Sequence, residues 1–181
     1  MISIPNHINH HIILIGFKSV GKSVIGEEAA RRLNKRFFDL DKELEQHYAF
    51  LHQESLQCRQ IMMKHGDDYF RQLEHQALSN LMRGLRPSVI ALGGGTLTYE
   101  QNQKLIRGHL IVHVITPPAI TFERIVTEGR PAFFSKDEDL LSTFHRLWTQ
   151  RETVYKELAH LAIHNGGSIN QAVDQLLLAH G

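Results

Sequence analysis

The chain has 181 residues, enough for one domain with a real hydrophobic core. Its 42% hydrophobic and 22% charged residues are ordinary for a soluble globular protein, and a formal net charge of +1 excludes an electrostatic case for nucleic acid or an anionic membrane. The single cysteine, Cys58, excludes an internal disulfide and a cysteine-built metal cluster.

The thirteen histidines are scattered, without the spacing of a metal-binding helix or a Cys/His ligand set. Met1 to His11 lacks a basic start and is too polar for a secretion signal. The apolar runs are strand-sized, far below the ~20 residues of a membrane span. A cytoplasmic protein is expected, and one thiol suits a reducing compartment.

In chain order, His11-Ile12-Ile13-Leu14-Ile15 reads as a buried strand, Gly16 to Ser23 as a glycine-bearing loop, and Val24 to Leu33 as a helix stopping near Asn34. Arg36 to Asp39 is a short second strand. Helical stretches follow, among them Asp67 to Met82 after a break at Gly66. Ser88 to Leu92 is a third strand and runs into Gly93-Gly94-Gly95. Leu110 to Ile115 is a fourth, closed by Pro117-Pro118. The charged stretch from Thr127 to Asp139 is the candidate for a mobile lid, because it is polar and holds Gly129 and Pro131. Leu161 to Ile163 is a fifth strand, and a leucine-rich helix follows Gly166-Gly167. Strands alternating with helices predict an α/β fold whose parallel sheet is covered on both faces.

Gly16-Phe17-Lys18-Ser19-Val20-Gly21-Lys22-Ser23 matches the phosphate-loop pattern G-x-x-x-x-G-K-[ST] in full. It follows a strand and opens a helix, so backbone N–H groups and the positive helix end can face phosphate oxygens. Gly16, Ser19, Val20, Gly21, Lys22, Ser23 and Val24 are assigned to ATP. Lys22 is expected to bridge the β- and γ-phosphates, and the Ser23 hydroxyl to ligate Mg²⁺.

Asp39-Leu40-Asp41 leaves the second strand at its carboxyl end, the edge that lines ligand crevices in open α/β sheets. In an extended segment both carboxylates would face one way. One could hold metal and the other orient an acceptor hydroxyl; alternatively, Asp41 caps the next helix. The phosphate loop tips the choice toward chemistry. Neither the third nor the fourth strand ends in aspartate, which leaves Asp39 as the metal-side acid.

The phosphate loop, Asp39-Leu40-Asp41, Phe70-Arg71-Gln72-Leu73-Glu74, Leu92-Gly93-Gly94-Gly95, Gly129-Arg130-Pro131, and Arg151 with Tyr155 form an ordered set over nearly the whole chain. That set resembles the shikimate kinases, small relatives of the nucleoside monophosphate kinases. The resemblance implies a P-loop three-layer α/β/α sandwich with a five-stranded parallel sheet and a mobile lid. It also implies transfer of the γ-phosphoryl group of ATP to the 3-hydroxyl of shikimate, with Mg²⁺. In its terms Arg71 and Arg151 hold the shikimate carboxylate, with Glu74 steadying Arg71. Gly93, Gly94 and Gly95 present backbone to the substrate, and Asp41 binds ring hydroxyls beside the acceptor. Arg130 is the lid arginine at the transferring phosphate, and Arg124 lies near the nucleotide. Lys22, Asp41 and Arg130 are the catalytic set.

The chain departs from the family pattern at Ser19 and Val20, in a longer segment from His47 to His65, and around His164 to Ser168. One domain over 1–181 is expected, with a substrate-binding region at about 39–84. So are a monomeric state, no nucleic-acid partner and no membrane partner. A gluconate kinase-like enzyme of the same fold and a non-catalytic nucleotide-binding module are the competing readings.

Overall fold

A computed structural model describes residues 10–129 and 139–180. Five strands, β1 (Ile12–Ile15), β2 (Arg36–Asp39), β3 (Ser88–Ala91), β4 (Leu110–Ile115) and β5 (Leu161–His164), form one parallel sheet in the order β2-β3-β1-β4-β5. The central strand β1 is four apolar residues, all buried. A strand with both faces covered has no reason to alternate polar and apolar residues. Its two faces feed two cores. Ile12 and Leu14 join Val112 and Val114 under helices α1 (Lys22–Arg32) and α8 (Ile169–His180). Ile13 and Ile15 join Ile90 and Ile111 under α2 (Leu40–His52) and α4 (Asp67–Met82).

The expected three-layer architecture and all five strands are present. Some boundaries move. The first helix begins at Lys22 rather than Val24, because the last two loop residues already make its opening turn. Asp39 is the last residue of β2 and Asp41 lies in the first turn of α2, so the two acids do not share an extended segment. The capping role falls to Asp39, whose side chain accepts the Asp41 N–H at 3.1 Å. Thr127 and Glu128 close α6 (Pro118–Glu128), ahead of Gly129, so the expected lid cannot start at 127. Residues 130–138, including Arg130, lie outside the described residues.

The remaining helices place the site. α3 (Cys58–His65) falls inside the unusually long segment and packs on α4. α5 (Glu100–Leu105) precedes β4. α7 (Leu140–Leu158) begins on Asp139, whose carboxylate accepts the Ser142 N–H at 2.8 Å. It carries Arg151 and Tyr155 one turn apart on its buried face. Among the described residues, no helix is long and apolar enough to cross a membrane.

Candidate active site

At the carboxyl ends of β1, β2 and β3 lies a cleft of about 700 Å³. That edge is where open α/β sheets bind ligands. Its wall includes Lys18, Ser19, Gly21, Lys22, Ser23, Val24, Asp39, Asp41, Arg71, Gly93, Gly94, Gly95 and Arg124 among the described residues.

The phosphate loop is built against its neighbours. A side-chain Cβ added at Gly16 would stand 2.5 Å from the Val114 carbonyl oxygen, so only glycine lets the loop leave the sheet there. Ser19 takes a left-handed φ of 64°, a costly conformation for a residue with a side chain. Two contacts hold it: its hydroxyl donates to Glu128 at 2.9 Å and its carbonyl accepts from Arg124 at 3.1 Å. Val20 is 1% exposed and packs into the core, while its carbonyl accepts from Thr116 and Asn165 at 3.0 and 2.8 Å. Val20 and Gly16 shape the loop and do not line the cleft wall. Asn165, in the segment that departs from the family pattern, thus braces the loop from the far end of the chain.

Lys22 is buried, and its ammonium donates to the Gly16 and Phe17 carbonyls at 2.9 and 2.7 Å. Desolvation pulls its pKa down to about 8, opposed by the charges of Asp41 and Asp39. It therefore remains a cation at neutral pH. The Ser23 hydroxyl donates to Asp39 Oδ2 at 2.5 Å, which puts two hard oxygen donors at the loop's edge. Among the described residues, no group of three acidic, histidine or cysteine side chains could hold a metal alone. Mg²⁺ bound with phosphate and water needs only one or two protein oxygens, so the Ser23–Asp39 pair fits it.

Asp41 reaches water through the cleft mouth while protein encloses its carboxylate. Desolvation, with the charges of Asp39 and Glu74, pushes its pKa up to about 6 against the pull of Lys22 and Lys18. A carboxylate with this value is a better proton acceptor near neutrality than an ordinary aspartate.

The three glycines after β3 each meet a different group. A Cβ would come within 2.9 Å of Asp41 Oδ1 at Gly93, 2.8 Å of the Lys18 backbone nitrogen at Gly94, and 2.9 Å of the Arg71 guanidinium at Gly95. The run thus lets the acid, the phosphate loop and the arginine converge. Arg71 donates to Glu74 at 2.7 Å and lies 3.5 Å from Asp67. Glu74 is 2% exposed and also accepts the Thr96 hydroxyl at 2.6 Å. Tyr155 donates its hydroxyl to the Gly94 carbonyl at 2.5 Å, tying α7 to the loop.

Arg151 does not line the cleft wall. It is 5% exposed, and its guanidinium lies 5.1 Å above the Phe17 ring, beneath the phosphate loop. Burial lowers its pKa, and the Arg71 charge lowers it further. The two arginines lie within each other's field.

Sequence reasoning missed several wall residues. Gln57, Cys58, Arg59 and Met62 of the α3 segment, together with Lys18 and Glu128, face the same space. The Cys58 thiol contacts the Asp41 carbonyl oxygen at 3.5 Å, and burial raises its pKa, which keeps it protonated and unreactive.

A family model for shikimate kinase matches residues 18–180. The chain belongs to the shikimate kinase family. It is 32% identical over 164 residues to a shikimate kinase of Deinococcus radiodurans, covering 90% of this chain and 78% of that one. It is 30% identical over 151 residues to a bifunctional shikimate kinase/3-dehydroquinate synthase of Thermotoga maritima, covering 83% of this chain but spanning only 28% of that protein. Among solved structures, the shikimate kinase of Acinetobacter baumannii in complex with shikimate matches with a TM-score of 0.81 at 25% identity, covering 95% and 92% of the two chains. A gluconokinase of Sinorhizobium meliloti matches at a TM-score of 0.59 and 15% identity, a likeness of fold alone.

Proposed function

We propose that the chain transfers the γ-phosphoryl group of ATP to the 3-hydroxyl of shikimate, yielding shikimate 3-phosphate and ADP. The observation that carries this reading is the glycine run, which brings Asp41, Arg71 and the phosphate loop to one surface of one cleft. A nucleotide on the loop and a carboxylic-acid alcohol on the arginine side would then meet with little further motion.

The loop amides and the α1 amino end cradle the phosphates, and Lys22 follows the charge as it moves. Ser23 and Asp39 would hold Mg²⁺, which supplies charge neutralisation of the triphosphate when bound. Asp41 orients the acceptor hydroxyl and takes its proton. Arg71 grips the carboxylate through its planar fork, and Glu74 fixes that fork. Arg151 adds positive charge from beneath the loop, and Arg130 and Arg124 act on the phosphate side. The reading takes the chain as one catalytic domain, with 39–84 as the acceptor side and the lid placed after α6, from Gly129 to Asp139, working as a cytoplasmic monomer.

Coupled measurement of ADP release tests it. Shikimate should stimulate release at least a hundredfold over the acceptor-free rate, and gluconate should not. Equal stimulation by both acids, or none by shikimate, would overturn the assignment.

A further inference from the structure

Lys18 and Glu128 both face the cleft beside the phosphate loop. Glu128 ends α6, and one of its carboxylate oxygens serves two consecutive loop residues. It accepts the Ser19 hydroxyl at 2.9 Å and lies 3.4 Å from the Lys18 ammonium. Arg124, one turn earlier on the same helix, holds the Ser19 carbonyl. A carboxylate therefore sits as a resident anion on a loop whose motif is built for phosphate oxygens. The two side chains are 40% and 50% exposed, so water screens the pair and little free energy resists its exchange.

The position of Lys18 matters more than its charge alone. Its backbone nitrogen is the loop atom nearest Gly94, the point where nucleotide half and acceptor half touch. Its charge bears on both Lys22 and Asp41, and so on both sides of the transfer path. The loop amides serve the β-phosphate, and Lys22 reaches the bridge between the β- and γ-phosphates from its buried side. A cation starting from the Gly94 seam is placed for the third phosphate. Its flexible four-carbon stem can follow a moving group.

We propose that Lys18 is a further phosphate-binding residue, directed at the transferred phosphoryl of a nucleoside triphosphate and held by Glu128 until that triphosphate displaces the carboxylate. The nucleotide takes over the ammonium, and Glu128 is left repelling the anion that replaced it. The pair thus sets how strongly the site prefers triphosphate over diphosphate. This rests on the kinase reading above for its nucleotide class, but its test needs no acceptor.

Trp148, the sole tryptophan, lies 5.2 Å from the Phe17 ring of the loop and can report nucleotide binding by fluorescence. Titrations with ADP and with a non-hydrolysable β,γ-methylene ATP analogue, in magnesium buffer, would compare wild type, Lys18→Met, Lys18→Arg, Glu128→Gln and the Lys18→Met/Glu128→Gln double variant. Lys18→Met should weaken the triphosphate at least tenfold and ADP less than threefold, with Lys18→Arg restoring most of the loss. Glu128→Gln should tighten the triphosphate at least threefold, and only when Lys18 is present. Equal losses for both nucleotides, no loss, or a Glu128→Gln gain that survives in the double variant would overturn the proposal. Failure of shikimate to stimulate ADP release would instead count against the acceptor assignment and leave this comparison intact.

Discussion

At the scale of single residues, the cleft sets two titrations against each other. Asp41 must be ionised to accept a proton, and its pKa is raised to about 6. Lys22 must be protonated to bind phosphate, and its pKa is lowered to about 8. The kcat/KM for ATP should therefore rise through pH 6 and fall through pH 8, since this ratio reports the free enzyme. Rate measurements across that range check it, and Asp41→Asn should lose the acid limb together with nearly all turnover. Arg71 makes a different prediction. Arg71→Lys keeps a cation beside the buried Glu74 but loses the planar fork. It should raise the KM for shikimate about tenfold, the size of one lost charge-assisted bond, and leave the KM for ATP within twofold. Lys22, Ser23 and Asp39 were legible in the sequence because they belong to a local motif or end a strand. Arg71, which faces the cleft, and Arg151, which lies buried behind its wall, were singled out only through family resemblance. An arginine on a helix carries no local mark that separates a ligand from a solvated side chain.

Structural elements meet at the glycine run. The loop after β3 touches α2 through Asp41, α4 through Arg71, the phosphate loop through Lys18 and α7 through Tyr155. Gly95→Ala would force its new methyl against the Arg71 guanidinium, the movable end of a side chain. The expected result is a shikimate KM raised about tenfold with a melting temperature within a few degrees of wild type. Steady-state kinetics and a thermal melt check both halves. Three glycines in a row announced a close approach in the sequence, but not to which groups. The longer segment before α4 was visible as a departure, but not that Cys58 and Arg59 would face the cleft. The Ser19–Glu128 contact joins residues 109 apart, and no local pattern encodes it.

The whole molecule carries a second cluster at the opposite, amino-terminal edge of the sheet. His11 Nδ1 accepts the Ser88 N–H, His109 Nδ1 accepts the His11 N–H, and His160 Nδ1 accepts the Ile111 N–H. Each bond requires an unprotonated nitrogen. Burial lowers all three pKa values, for His109 to about 4, with the Lys35 and Arg36 charges also acting on His11. Lowered values mean the folded state prefers neutral imidazoles, which the unfolded chain protonates below about 6.5. Stability from these groups is therefore complete above pH 6.5 and lost as pH falls toward 4. Urea unfolding should give a lower midpoint at pH 5 than at pH 7.5, and His109→Gln should shrink that difference.

The layered fold itself was readable from strand-sized runs spaced by helices, because a doubly covered parallel sheet leaves its central strands no polar face. What joins its two functional halves is tertiary, and one measurement bears on that join most directly. Phosphorus NMR of a reaction containing the wild-type chain, ATP, Mg²⁺ and shikimate follows where the γ-phosphoryl goes. One equivalent of a phosphate monoester of shikimate should appear for each ADP formed. Inorganic phosphate accumulating in its place would contradict a cleft that holds acceptor and triphosphate face to face.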